Sequence, residues 1–170
     1  KKKAYMKTSP VLWCTECQTS IAQAELETKE CETVFNYLNF TTPIGNLLIA
    51  TTRPELLAGC ACIFVHPDDT RYKKFIGQKA IVPLYDFEIP ILADDTVAMD
   101  KGTGVVMCAS FGDSADVEWY QKHKLTSKEV ILADGTISEK IDFIGKMTVK
   151  KARAYIIELL KKQNLLVKQE

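Results

Sequence analysis

The chain has 170 residues, 46% of them hydrophobic and 26% charged, which fits one soluble globular domain with a sizeable core and excludes a disordered or fibrous chain. Lys plus Arg number 22 and Asp plus Glu number 22, so no whole-domain positive field holds nucleic acid and any RNA contact is local. No apolar run approaches a membrane span or a signal peptide, and 6 cysteines are too few for a disulfide scaffold, so a reducing, cytoplasmic setting without membrane contact is expected.

Lys1 to Lys7 opens without an initiator Met and Leu165 to Glu170 stops within an apolar run, which reads as one domain (1–170) excised from a larger protein. Trp13 precedes Cys14-x-x-Cys17, half of a zinc site or a redox pair by its spacing; no second Cys-x-x-Cys or His-x-x-His follows, so no bound metal is expected. Ser20 to Leu26 reads as a strand or a turn of helix. Val34 to Phe40 and Leu47 to Thr52 flank Pro43-Ile44-Gly45-Asn46 and predict a hairpin.

Cys60 to His66 is a strand-like apolar run. Pro67-Asp68-Asp69 resembles a helix start, with Tyr72, Phe75 and Ile76 on one side of a short helix. Lys79 to Leu84 and Phe87 to Leu92 predict a second hairpin. Thr103 to Ala109 predicts a strand, and Asp113 to Lys124 a helix carrying Val117 and Tyr120 at helical spacing. Val130 to Leu132 and Ile137 around Asp134-Gly135 predict a third hairpin. Thr148 to Gln163 sets Ala152, Tyr155, Ile156, Leu159 and Leu160 on one face of an amphipathic helix with a basic opposite face. Many short strands with a few helices predict an α+β domain built on a closed or nearly closed β-barrel.

The phosphate-binding Gly-Lys loop, the dinucleotide glycine motif and the Gly-x-Ser-x-Gly elbow are all absent from the sequence. His66 in a turn and His123 near a helix end read as surface or capping residues. Two segments are polar beyond what folding requires. Thr51-Thr52-Arg53-Pro54-Glu55 ends a strand, where side chains face the mouth of a barrel; a Thr-rich strand end with a turn proline is the plainer reading. Asp113 and Asp116, spaced i, i+3, set two carboxylates on a helix's first turn, able to bind an ammonium or a cation, or to favour the helix dipole; Ser110 and Asp113 also make an N-cap pair.

Thr51 to Leu57, the Val65-His66-Pro67-Asp68-Asp69 turn, Gly102 to Val106 and Phe111 to Trp119, in that order, resemble the inserted editing domain of class I aminoacyl-tRNA synthetases. Trp13 to Glu27 resembles the stretch leading into that insertion, with residues 1–30 as a stalk, and the last helix with Leu166 to Gln169 resembles its exit. Phe111-Gly112-Asp113 with Glu118-Trp119 is most similar to the valyl branch of archaeal and eukaryotic-like type. The resemblance implies hydrolytic proofreading of threonine mischarged on tRNA(Val), with no cofactor, the tRNA acceptor end and the remainder of the synthetase as partners, and no aminoacylation by this segment alone. A valine pocket rejects isosteric threonine poorly, valyl enzymes being the standard example, whereas a second pocket that demands a hydroxyl penalises valine by about 1–3 kcal/mol per unpaired polar group.

The resemblance also implies the roles. Asp116, assisted by Asp113, anchors the α-ammonium, with Thr52 the third residue at the chemistry. Thr51, Thr52 and Arg53 line the pocket near the substrate hydroxyl and terminal adenosine, supported by Glu55, and Ser110 and Phe111 complete the binding set. Bacterial-type valyl relatives carry Lys at the place of Met107 and Thr near Ala109, so the hydroxyl-reading shell does not transfer there. Alternatives are an isoleucyl or leucyl editing domain, a non-catalytic acceptor-end docking module, and a zinc-binding structural module.

Overall fold

The computed structural model describes residues 4, 6, 8–27, 29–30 and 32–170; most of the basic opening, and Cys31, lie outside them. Strands β1 (Trp13–Cys14) and β2 (Thr19–Ser20) form a small knuckle, followed by a 3-10 turn at Gln23–Glu25 where a strand or helical turn was expected. The knuckle docks on the body through Trp13, whose Nε1 donates to the Ala133 carbonyl at 2.9 Å.

β3 (Asn36–Thr42) and β4 (Gly45–Thr51) form the first expected hairpin, in register from Asn36↔Thr51 to Thr42↔Gly45. β5 (Cys60–Val65) pairs antiparallel with β8 (Val105–Ala109) and parallel with β7 (Glu88–Ala93), which pairs with β6 (Lys79–Ile81) as the second hairpin. The order is β4-β3-β6-β7-β5-β8, and its two ends, β4 and β8, contact each other, so the sheet nearly closes into a barrel. Antiparallel neighbours joined by short turns and one parallel crossover give the α+β barrel the sequence predicts.

Two-residue periodicity divides β5 and β8 between two cores. Ile63, Val65 and Val105 join Leu38, Phe40, Ile49 and Ile91 inside the barrel, while Cys62, Phe64 and Cys108 meet Trp119 and Tyr120 of helix α1 (Ser114–His123) outside it. Burial on both faces explains why Cys60 to Val65 is apolar throughout. Helix α2 (Val149–Lys162) covers the barrel with Ala152, Ile156 and Leu160, all fully buried, whereas Tyr155, expected on that face, is exposed.

Two expectations change, and one strand is added. The segment after Pro67 is a set of turns with a 3-10 turn at Lys73–Phe75, because the Asp69 carboxylate accepts from the Arg71 amide and side chain and bends the chain out of a helix. The Asp134-Gly135 hairpin reduces to a bridge, Ile131↔Ile137, closed by the Asp134 carboxylate accepting from the Thr136 amide. The last residues form strand β9 (Leu166–Gln169), which pairs with Asn36 to Leu38 of β3, whose Thr41 pairs with Ile81 of β6.

Candidate functional site

A cavity of about 500 Å³ opens at the gap between β4 and β8, a size usual for small-molecule sites. Thr51, Thr52 and Arg53 supply one wall, Val105, Met107 and Ala109 of β8 the floor, Gly112, Asp113 and Asp116 the opposite wall, and Lys101 part of the rim. Segments distant in sequence thus converge where the motif residues were expected to meet.

Each wall is set by local hydrogen bonding. The Thr51 hydroxyl accepts from the Arg53 amide at 3.1 Å, turning the chain out of β4. Arg53 reaches across and donates from Nη1 to the Gly112 carbonyl at 2.7 Å, joining the two walls. Asp113 is the N-cap of α1, its carboxylate accepting from the Asp116 amide at 2.9 Å, so the capping reading holds for it. Ser110 takes no part in that cap: it stands at φ 51° and its hydroxyl donates to the Lys128 carbonyl at 2.8 Å.

Asp116, 7% exposed, is the buried carboxylate of the cavity. Burial, then the charge of Asp113, pushes its pKa up to about 6, while the Cys108 thiol and the amides of Asp113 and Gly112 hold it from rising further. A Cβ on Gly112 would stand 2.7 Å from Asp116 Oδ2 and 3.2 Å from Leu56 Cδ1, so only glycine lets the carboxylate turn back against this loop. The rim loop is pinned by Arg71, which clasps Asp69 and donates to the Met99 carbonyl at 2.8 Å. The Val65 to Asp69 turn therefore serves the cavity through the loop ahead of β8.

Ser110 and Phe111 line a second cavity of about 370 Å³, on the far side of the Arg53–Gly112 bridge, with Lys128 and Ile131. Thr96, Val97, Ala98 and Lys101, between β7 and β8, line the main cavity and carried no sequence signal, since nothing in that loop's composition shows that it folds over β8. Neither histidine reaches the cavity: His66 Nδ1 accepts from the Asp68 amide, and His123 Nε2 lies 2.6 Å from Asp94 Oδ2. In the β1–β2 knuckle the Cys17 amide donates to Cys14 Sγ at 3.4 Å, and this with the Glu16 amide lowers the Cys14 pKa. Among the described residues no group of three or more His, Cys, Asp or Glu side chains is placed to hold a metal.

The family model for the leucyl-tRNA synthetase editing domain matches residues 67–157, more than half of the chain and including α1 and the Asp113–Asp116 wall. The chain belongs to this family of synthetase editing domains. It is 49% identical over its whole length to a valine–tRNA ligase of Rickettsia typhi and 48% identical over 98% of its length to that of Methanocaldococcus jannaschii, spanning about a fifth of each (21% and 19%). In fold it resembles the LeuRS of a ternary LeuRS-tRNA-LeuAMS complex from Agrobacterium radiobacter K84 (TM-score 0.65, 20% identity, covering 81% of this chain and 20% of that one). It also resembles GlLeuRS-CP1 (TM-score 0.64, 13% identity, covering 79% of this chain and 98% of that one). The editing domain's barrel and helices are thus the fold observed here.

Proposed function

We propose that this editing domain serves a valyl-tRNA synthetase and hydrolyses the ester of threonine mischarged on tRNA(Val). The carrying observation is the cavity's polarity: the buried Asp116 carboxylate on one wall and the Arg53 guanidinium on the other, with the Thr51 and Thr52 side chains along the wall that Arg53 continues. An aminoacyl ester offers matching groups, an ammonium at one end and an ester oxygen bonded to ribose at the other.

Asp116 accepts a charge-assisted hydrogen bond from the α-ammonium, and that cation offsets the burial and the Asp113 charge that disfavour the ionised carboxylate. Asp113 holds the helix start on which Asp116 sits. Arg53 faces the region where the carbonyl oxygen gathers negative charge as water attacks, and stabilises it there. The carbonyl–ribose bond then breaks, the ribose oxygen leaves with a proton, and threonine is released. No side chain serves as nucleophile in this reading: burial raises the pKa of the Cys60 thiol, and the hydrogen bond with Cys62 together with burial raises that of Cys108. Water positioned between the walls is the attacking group.

Hydrolysis of Thr-tRNA(Val) and Val-tRNA(Val) tests the reading. Loss of the threonyl ester alone, slowed roughly 100-fold in Asp116→Ala, is expected. Equal cleavage of both esters would remove the hydroxyl sieve, and preference for valyl or leucyl esters on other tRNAs would favour an isoleucyl or leucyl role.

A further inference from the structure

Glu55 is buried completely and carries two guanidinium partners. Arg153 of α2 holds it from both ends, Nε to Oε2 at 2.9 Å and Nη2 to Oε1 at 2.8 Å. Arg53 reaches the same Oε1 only from Nε, at 3.3 Å, and spends Nη1 on the Gly112 carbonyl. Arg153 does not line the cavity, and 98 residues separate it from Glu55 in sequence.

One carboxylate between two guanidiniums leaves a surplus positive charge. The paired geometry of Arg153 is the one in which guanidinium and carboxylate neutralise each other best, so the surplus resides on Arg53, at the cavity. Without Arg153 a buried, uncompensated carboxylate would draw Arg53 in, converting its one long contact into a full ion pair and pulling it from Gly112. We infer that Arg153 is a positioning residue for ester hydrolysis: it satisfies Glu55 from behind, so that Arg53 keeps both its charge and its bridge to the Asp113–Asp116 wall. This rests on the deacylase reading given above, in which Arg53 faces the reacting carbonyl.

The test compares Arg153→Gln, Arg153→Lys and the double variant Glu55→Gln/Arg153→Gln in the full-length protein that carries this chain. Steady-state hydrolysis of Thr-tRNA(Val) over a substrate series gives kcat per folded molecule and KM, and is measured together with the NMR resonance of the Arg53 Nε–H. Arg153→Gln is expected to lower kcat on the order of 10- to 100-fold with little change in KM, as misplacement of a group at the reacting centre does. Arg153→Lys should fall between it and the parent. The double variant should recover most of the loss, because a neutral amide at 55 no longer captures Arg53. A role confined to stability would lower the melting temperature and leave kcat per folded molecule unchanged, and that result, or no recovery in the double variant, overturns the inference. The resonance separates the two ideas: if no variant or parent hydrolyses the ester while the Arg53 Nε–H shifts in Arg153→Gln, the deacylase reading falls and the coupling stands. An unmoved resonance refutes the coupling itself.

Discussion

Asp116 combines function with a thermodynamic burden. Its pKa in the fold is about 6 against an ordinary 3.8, so the favourable protonated form is fully present below pH about 4, and its contribution is lost as pH rises through about 6. At neutral pH the ionised carboxylate therefore costs on the order of 1–3 kcal/mol, each tenfold change in proton affinity being worth about 1.4 kcal/mol. Asp116→Asn should raise urea-unfolding stability by that order at pH 7.5 and by nothing at pH 4, while slowing hydrolysis roughly 100-fold. In the proposed reading the ionised form holds the substrate ammonium, so kcat/KM of the parent should fall by half near pH 6 on acidification. Asp113→Asn keeps an N-cap but removes the second cause of the raised pKa, and the acid limb of that profile should move to lower pH. An unmoved limb would separate Asp113 from the titration of Asp116.

At the scale of elements, α1 is fixed at both ends. Its start is the Asp113 cap, and its last turn is tied to the β7–β8 loop through Asp94, whose buried carboxylate meets His123 at 2.6 Å, Lys122 at 3.0 Å and the Thr96 hydroxyl at 2.6 Å. Thr96 in turn accepts from Trp119 Nε1 at 2.9 Å. Burial alone would raise the Asp94 pKa, but these donors outweigh it and hold it well below the usual carboxylate range. Its stabilisation is thus present above the unfolded pKa near 3.8 and is lost as pH falls below it. Asp94→Ala should cost about 2–3 kcal/mol in urea unfolding at pH 7, the scale of hydrogen bonds to a charged group. That difference should shrink below pH 4. Ile156→Ala, which opens a cavity between α2 and the barrel, should cost about 2–5 kcal/mol at any pH.

The same elements show what can be read from sequence. Hairpins closed by a local turn, β3–β4 and β6–β7, and the long periodic helix α2 are visible in residue order because their contacts are near neighbours. β9 escapes because its four residues, one half-buried and three exposed, form a strand only by pairing with β3 some 130 residues away, at Asn36↔Gln169. Thr51 to Arg53 and the two aspartates announce polar chemistry, yet the role of Glu55 depends on Arg153, which looks in sequence like one more basic residue on the solvated face of α2. The parallel pairing of β5 with β7 likewise leaves no local trace.

Across the whole molecule, the near-closed barrel places two chemically opposite walls at its open seam, between β4 and β8, and a helix backs each wall: α1 carries Asp116, and Arg153 of α2 pairs with Glu55 behind Arg53. With a neutral overall charge, the proposed reading assigns recognition of an ester that is cationic at one end to this local polarity. The central claim is that the α-ammonium is held by Asp116, and the direct measurement is single-turnover hydrolysis of Thr-tRNA(Val) against its N-acetylated form, by the parent and by Asp116→Ala. The account predicts rapid hydrolysis of the free amine by the parent, a loss of roughly 100-fold on acetylation, and slow hydrolysis by Asp116→Ala that acetylation does not slow further. Equal hydrolysis of both esters by the parent would contradict it.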